Sequence, residues 1–443
     1  MPFGKDCHKE GDSSNRSDSG RRPGPRPAPS RFSGVARAAF ADITPLRTSV
    51  DYRRLWFGHT VSSIGQQMTA VAVSVQVYAL TGSTFATGMV GLCSLVPLVV
   101  FGLYGGAIAD TVDRRKLGLV GSFGLALLSA VLAALALTDS PHVVVLYVVV
   151  ALQAMCYAVS TPARSAMIPR LVPAEQLPAA NALSTVSMNL SLTAGPMLGG
   201  ILIGFWGYQA AYFVDTVAFT ATLYAMWRLP AMRPGGERER RARVLQGLRF
   251  LGERPNLRMS FLADMAAMIF GMPRALFPAI AVGFYAGDAR TVGLLTSAPA
   301  VGALAGALLS GWVGRVHRHG LAVTWAVIAW GLAIAGFGLV RYLGLGLLLL
   351  AAAGCADSIS SIFRNTILQV AAPDEMRGRL QGIFIVVVAG GPRLGDFVSG
   401  TVAELTSPGF AVVGGGLACV AVMLLLLTRW PGFVRYDARH PTP

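Results

Sequence analysis

The sequence predicts an all-α membrane protein with twelve transmembrane helices in two pseudo-symmetric six-helix bundles. First, 53% of its 443 residues are apolar and only 13% are charged, whereas about 25% of the residues in a soluble domain are charged. Second, the apolar residues form blocks of about twenty, the length that crosses a lipid bilayer. Third, the two halves of the chain repeat one another. These observations exclude a soluble protein.

Twelve apolar spans follow one another, with one long polar break. The spans are 55–80, 85–109, 117–137, 142–163, 178–204, 210–228, 259–284, 291–313, 320–340, 342–367, 380–403 and 409–428. The break contains Gly-Gly and a run of arginine and glutamate, which is typical of a solvated linker. We therefore expect a disordered basic tail (1–48), an N-terminal bundle (49–229), a linker (230–257), a C-terminal bundle (258–430) and a second tail (431–443).

The distribution of basic residues predicts the orientation. One set of loops is rich in arginine and includes the linker, whereas the opposite loops contain only Arg290 and Arg341. Basic loops remain in the cytoplasm. Both termini are therefore predicted to be cytoplasmic, in a multi-pass protein of the inner or plasma membrane, and the polar first 45 residues give no sign of a cleaved signal peptide.

The internal repeat has a constant register over three pairs of helices. Gly88 matches Gly293 at an offset of 205 residues, and the offset later becomes 200. The later pairs are Arg164 and Arg364, Pro173 and Pro373, Glu175 and Glu375, Gly195 and Gly395, and Gly200 and Gly400. Duplicated six-helix halves with a site between them are typical of transporters. A monomer is the simplest expectation, because the repeat itself builds the cavity.

Other classes of function lack support in the sequence. The net charge of +15 resides in the tail and in alternate loops, so we expect no nucleic-acid partner. A phosphate-binding loop with lysine is missing, which argues against ATP as the energy source. Histidines and cysteines lack metal spacing, and we predict no catalytic residue, no cofactor and no metal.

The loop after span 2 contains glycine, carboxylate and basic residues at a regular spacing. Gly106 is followed by Asp110 and then by a basic cluster that begins at Arg114. Charge alone is equally consistent with an ordinary cytoplasmic loop. The spacing, however, resembles the loop 2–3 signature of the major facilitator superfamily. The resemblance implies that this loop holds the two halves together and controls alternating access, with Asp110 paired to Arg164 and with Arg364 as the equivalent residue of the second half.

Span 5 contains a glycine–proline string: Gly195, Pro196, Gly199 and Gly200. A kink that allows close helix packing explains it on physical grounds alone. The string also resembles the superfamily's antiporter motif, which implies export.

Shorter stretches, such as 51–56, 161–170 and 373–379, resemble the drug- and siderophore-exporting branch of the superfamily. The resemblance covers about 48–430. One departure is that Gly65 is followed by Gln66, where that branch often has aspartate, so span 1 lacks a proton-carrying carboxylate.

Charged residues inside the spans are candidates for function, because they are costly in a bilayer. Asp264, Asp357 and Asp396 are the candidates for proton coupling, with Asp264 and Asp357 first. Arg274 and Arg393 are candidate cavity charges.

Simpler roles are also open for several of these charges. Arg393 and Asp396 are three residues apart and share a helix face, so they could form a neutral structural pair. Arg364 is expected to snorkel or latch at a cytoplasmic helix end. Asp215 is expected to be solvated near the outer end of span 6.

We therefore expect a transporter that exports an amphipathic small molecule, drug-like or a siderophore, by proton antiport with alternating access. Its partners are the cargo, protons and lipid. A lysophospholipid flippase and a non-transporting membrane sensor are the alternatives.

Overall fold

The computed structural model describes residues 42–138, 142–232, 249–252, 254–371 and 374–436, with side chains at 103–111, 314, 369–386 and 435 outside the description. We number thirteen helices. They are α1 Val50–Thr81, α2 Thr84–Thr111, α3 Arg114–Leu135, α4 Val143–Leu171, α5 Leu177–Trp206, α6 Tyr208–Trp227, α7 Pro255–Phe270, α8 Phe277–Tyr285, α9 Ala289–Leu308, α10 His319–Leu339, α11 Leu343–Ala371, α12 Asp374–Leu405 and α13 Pro408–Arg429. The all-α prediction is confirmed.

The helices occur in the order predicted for twelve spans, with α7 and α8 together forming the seventh. In the described part of the chain, nine segments are long and apolar enough to cross a membrane. Those nine do not include α1, α6 and α12. Polar side chains lower the hydropathy of these three helices, including Gln67 in α1 and Asp215 in α6. We call α1–α6 the N-terminal half and α7–α13 the C-terminal half.

The seventh span is broken, although the sequence predicts one continuous span. α7 ends at Phe270, a 3₁₀ turn covers Arg274–Leu276, and α8 begins at Phe277. Pro273 and Pro278 explain the break, because proline lacks the N–H that an α-helix needs and restricts the residue before it. The break places Arg274 in a turn instead of in a helix interior.

Most of the predicted linker and tails lies outside the described residues, so the domain boundaries stay predictions. At the C-terminal end, however, Phe433 and Tyr436 are buried. A Cβ at Gly320 of α10 would collide with the Phe433 carbonyl oxygen. The beginning of the predicted 431–443 tail therefore packs on the C-terminal half.

The equivalent helix ends of α1 and α8 differ in backbone strain. α1 ends at Gly82, which has a left-handed φ of 63°. α8 ends at Ala286, a non-glycine residue with a φ of 46°. A left-handed conformation costs alanine about 1 kcal/mol more than glycine.

Ala286→Gly is therefore expected to raise the free energy of unfolding by about 1 kcal/mol. Thermal unfolding of the purified protein in one detergent measures this change. Gly82→Ala, the matched control, is expected to lower stability by a similar amount. A lower melting temperature for Ala286→Gly would contradict the strain argument.

Candidate functional site

A buried ion-pair cluster lies inside the C-terminal half. Arg364 of α11 forms an ion pair with Asp264 of α7 through Nη1 and Oδ1, and its Nη2 lies 3.4 Å from Asp357 Oδ1. Arg364 and Asp264 are only 4% and 2% exposed, whereas Asp357 is 32% exposed. One guanidinium thus serves two carboxylates, of which Asp357 is the accessible one.

This arrangement changes the interpretation of Arg364. The sequence suggested a snorkelling or latching residue at a helix end. Snorkelling is wrong, because the side chain is buried and its guanidinium is held by two carboxylates of its own half. A gating role stays a prediction, and it would act through Asp264 and Asp357.

Two further charges lie beside this cluster. Asp396 of α12 accepts a hydrogen bond from the backbone N–H of Ala275, with 3.1 Å between Oδ1 and N. That amide belongs to the 3₁₀ turn that interrupts the seventh span. Arg274, in the same turn, is exposed and interacts electrostatically with both Asp357 and Asp396. The broken span therefore supplies a cation and an N–H group to two candidate carboxylates.

Arg393 links the two halves. Its Nε donates to Ser94 Oγ of α2 at 3.1 Å, and its Nη1 donates to the Ala389 carbonyl oxygen. The neutral pair suggested for Arg393 and Asp396 is wrong: although they interact electrostatically, they form no ion pair within 4 Å in the part of the chain that the structure describes. Each has a closer partner.

The N-terminal half presents a smaller polar group toward this region. Ser63 Oγ and His59 Nδ1 of α1 lie 3.1 Å apart. Arg164 of α4 donates to Thr161 Oγ1 at 3.4 Å and interacts electrostatically with His59 and Tyr157. Tyr157 also interacts with Arg393 of the opposite half. Tyr157 therefore interacts with one candidate arginine of each half, Arg164 and Arg393.

The loop 2–3 signature is only partly described. Gly106 and Asp110 lie in α2, but their side chains lie outside the description, so the pair of Asp110 with Arg164 stays a prediction. Arg114 donates through Nη1 to the Ala166 carbonyl oxygen of α4 at 3.1 Å. Arg115 donates to backbone carbonyls in the last turn of α6. A cation is stabilised there, because the C-terminal end of a helix carries a partial negative charge. These contacts tie the loop to its own half.

The glycines of the antiporter string have two different neighbours. A Cβ at Gly195 would lie 2.5 Å from the Gln67 side chain, and one at Gly199 would lie 2.9 Å from Met68 Cα, both in α1. A Cβ at Gly200 would lie 2.5 Å from the Ala289 carbonyl oxygen of α9, in the other half. Pro196 is buried in the same helix. The string therefore packs α5 on α1 and also on the C-terminal half.

Two helix crossings join the halves near the end predicted to face outward. A Cβ at Gly200 would lie 3.1 Å from Gly293 Cα, and one at Gly88 would lie 3.2 Å from Gly400 Cα. The repeat predicts this symmetry, because Gly88 corresponds to Gly293 and Gly200 to Gly400. The crossings are thus two copies of one contact.

Glu404, at the end of α12, strengthens the second crossing. It accepts hydrogen bonds from Ser83 Oγ, Thr84 Oγ1 and the Phe85 N–H at 2.9, 3.1 and 3.2 Å. It therefore caps the first turn of α2 from the other half, where a negative charge is favourable.

An apolar groove of about 600 Å³ lies at the same end. Its lining includes Tyr78, Ile203, Pro278 and Val292. None of the candidate charges lines it, so the groove and the charged site are separate.

Asp215 is more deeply buried than the sequence predicted. The structure buries it completely, at 0% exposure, so the prediction of a solvated helix end is wrong. Its Oδ2 accepts hydrogen bonds from Thr69 and Ser129 at 2.8 and 2.6 Å. The hydroxyl-rich faces of α1 and α3 were the available signal, but their register against α6 is a tertiary property.

The comparisons with known proteins agree with this architecture. The family model described as transmembrane secretion effector matches residues 40–438. Enterobactin exporter EntS of Citrobacter koseri is 29% identical over 393 residues, which cover 87% of this chain and 94% of that protein. The protein of the same name from Escherichia coli O81 is 28% identical with the same coverage.

Solved structures with much lower sequence identity share the fold. A bacterial homologue of the human lysosomal transporter Spinster, described as inward-facing and unoccupied, has a TM-score of 0.68 at 15% identity and covers 88% of this chain and 96% of its own. A D-xylose–proton symporter has a TM-score of 0.66 at 13% identity, with 86% and 97% covered.

Proposed function

Because this chain belongs to the transmembrane secretion effectors of the major facilitator superfamily, we propose that it exports an amphipathic small molecule in exchange for protons. The family consists of transporters and not of enzymes, so the chain is a multi-pass inner-membrane secondary transporter of a small molecule. The cargo class, the coupling ion and the conformational cycle belong to the proposal.

A siderophore or a drug-like compound is the proposed cargo. The support is the similarity to the enterobactin exporters over 87% of the chain. The charged site is compatible with such a cargo, because exposed Arg274 and partly exposed Asp357 offer both signs of charge beside apolar helices.

The main support for proton coupling is that Asp264 and Asp357 share the guanidinium of Arg364. Two carboxylates, Asp264 and Asp357, compete for one cation, so a proton on either one is tolerated without leaving an unpaired charge. Asp357 is the more exposed carboxylate and takes the proton first. Arg274, which interacts electrostatically with Asp357, replaces the proton when the site rearranges.

Alternating access is supported by the contacts between the halves. They meet at the Gly88–Gly400 and Gly200–Gly293 crossings, at the end predicted to be outside. We infer from these contacts that the transporter is closed toward the outside in this structure. In the cycle, the loop from Gly106 to Arg114, together with Arg164, closes the cytoplasmic side, and the crossings open.

The proposed function is tested by expressing the protein in cells that lack their own exporters and measuring export. We expect the protein to increase the enterobactin found in the medium and to lower the accumulation of ethidium, and a protonophore to abolish both effects. Asp264→Asn and Asp357→Asn are each expected to reduce proton-driven export about tenfold, as the loss of a typical coupling free energy requires.

Asp51→Asn is the matched control, because Asp51 pairs with Arg54 at an exposed position. It is expected to export like the wild type. Full proton-driven export by both Asp264→Asn and Asp357→Asn would overturn the coupling proposal. Wild-type protein that moves neither probe would favour lysophospholipid flipping or a sensor.

A further inference from the structure

Asp215 of the N-terminal half is a buried carboxyl group that the proposed mechanism does not use. It lies seven residues after Tyr208, the first residue of α6, and therefore about 10 Å along that helix. At this depth an unpaired charge is costly. Its surroundings therefore decide whether the group is an acid or a carboxylate.

The contacts of Asp215 are all with neutral groups. Oδ2 accepts from the hydroxyls of Thr69 and Ser129, and Ser129 in turn accepts from Gln153 Nε2 at 3.3 Å. Oδ1 has no hydrogen-bond partner in the described part of the chain. It faces Gly65 of α1, where an added Cβ would collide with it. Two hydroxyl groups do not replace a cation.

Among the described residues, the charged and titratable groups on the surrounding helices make no ion pair with Asp215. None occurs in α5. On α1, α3, α4 and α6 they are Asp51, Tyr52, Arg53, Arg54, His59, Tyr78, Arg114, Arg115, Lys116, Tyr147, Cys156, Tyr157, Arg164, Arg170, Tyr208, Tyr212 and Tyr224. Two of them have other partners: Tyr212 donates to Gln76, and His59 contacts Ser63. Asp264, by contrast, has a cationic partner, Arg364.

The fold itself does not need a carboxyl group at this helix crossing. At the offset of 200 residues that relates Gly200 to Gly400, Asp215 corresponds to Gly415. Gly415 packs against the Phe270 carbonyl oxygen, which a Cβ there would strike. The C-terminal half thus fills the equivalent place with close backbone packing instead of a side chain. Asp215 is an addition specific to the N-terminal half.

We propose that Asp215 is a second proton-binding site of the transporter, neutral while α1 packs on α6 and ionised when they separate. This inference rests on the proposed proton antiport. Oδ1 takes a proton from water to form the neutral acid, and the proton returns to water when movement of α1 at Gly65 admits solvent. Asp215 thereby supplies the N-terminal half with the titratable group that Gln66 does not provide.

Infrared spectroscopy of the purified wild-type protein tests the protonation state without any cargo. At pH 5 the spectrum of the wild type minus that of Asp215→Asn is expected to contain a carboxylic-acid C=O band. The corresponding difference for Asp264→Asn is expected to lack it, because Asp264 is paired with Arg364. If Asp215→Asn removes no such band, Asp215 is ionised and the proposal is overturned.

A second variant keeps the carboxyl group and serves even if Asp215→Asn does not fold. Thr69→Val with Ser129→Ala removes the two donors that stabilise the anion, so the acid band is expected to persist to higher pH than in the wild type. A band that is unchanged, or that disappears at lower pH, would contradict the assignment.

Transport measurements distinguish a proton-binding role of Asp215 from a purely structural one. In proteoliposomes with an imposed pH gradient, Asp215→Asn is expected to lose uphill ethidium transport about tenfold but to keep ethidium exchange, because asparagine preserves the hydrogen-bond acceptor. Uphill transport at the wild-type rate would overturn the role of Asp215 and leave the antiport intact. Wild-type transport that ignores the gradient would instead refute antiport, and with it the coupling role of Asp215, while the infrared band still reports its protonation.

Discussion

Arg364→Ala is expected to lower the free energy of unfolding by about 3–5 kcal/mol and to abolish export, because it leaves Asp264 as an uncompensated buried charge. Arg364 and Asp264 are 4% and 2% exposed, so water cannot replace the lost guanidinium. Thermal unfolding in detergent, together with the amount of protein in the membrane, measures the change.

Two variants show whether the effect arises from the charge. Asp264→Asn in the Arg364→Ala background removes the stranded carboxylate and is expected to recover part of the lost stability. Arg54→Ala breaks an exposed pair with Asp51 and is expected to cost at most about 1 kcal/mol. An Arg364→Ala protein that unfolds at the wild-type temperature would show that the buried pair contributes nothing.

Gly200→Ala is expected to reduce export about tenfold or more, with a normal amount of folded protein in the membrane. The new Cβ would lie 2.5 Å from the Ala289 carbonyl oxygen and 3.1 Å from Gly293 Cα. Both neighbours are backbone, so α5 and α9 have to separate. Initial rates of ethidium efflux, normalised to the amount of protein, measure the effect.

Two other glycine variants serve as controls. One lies at the symmetry-related crossing and the other lies in open space. Gly88→Ala, at the symmetry-related crossing, would place its Cβ 2.7 Å from the Asp396 carbonyl oxygen and is expected to act in the same direction. Gly283→Ala has open space around it and is expected to export normally. Wild-type export by both crossing variants would mean that these contacts do not control access.

The sequence predicted the helix order and the register of the repeat, because both follow from local hydropathy and from residue identities at fixed offsets. The Gly88–Gly400 and Gly200–Gly293 crossings could therefore be paired in advance as equivalents. What the offsets did not reveal is that the crossings join one half to the other. That property depends on how the two bundles pack.

The side-chain partners were harder to predict than the helices. Arg393 and Asp396 share a helix face, yet Ser94 and Ala275 compete successfully for them from other helices. Sequence spacing describes neighbours on one helix only. The pairing of Arg364 with Asp264, 100 residues away, is likewise a tertiary contact that spacing does not indicate.

The position of the glycine crossings gives the molecule mechanical leverage. α2 has 28 residues and is therefore about 42 Å long, and its crossing with α12 at Gly88 lies in its second turn. The contacts between α2 and α12 described above lie between Thr84 and Ser94, within the first three turns of α2. About 25 Å of α2 extends beyond them, so a small tilt of the helix at these contacts becomes a larger movement at the far end, where the arginine-rich loop begins.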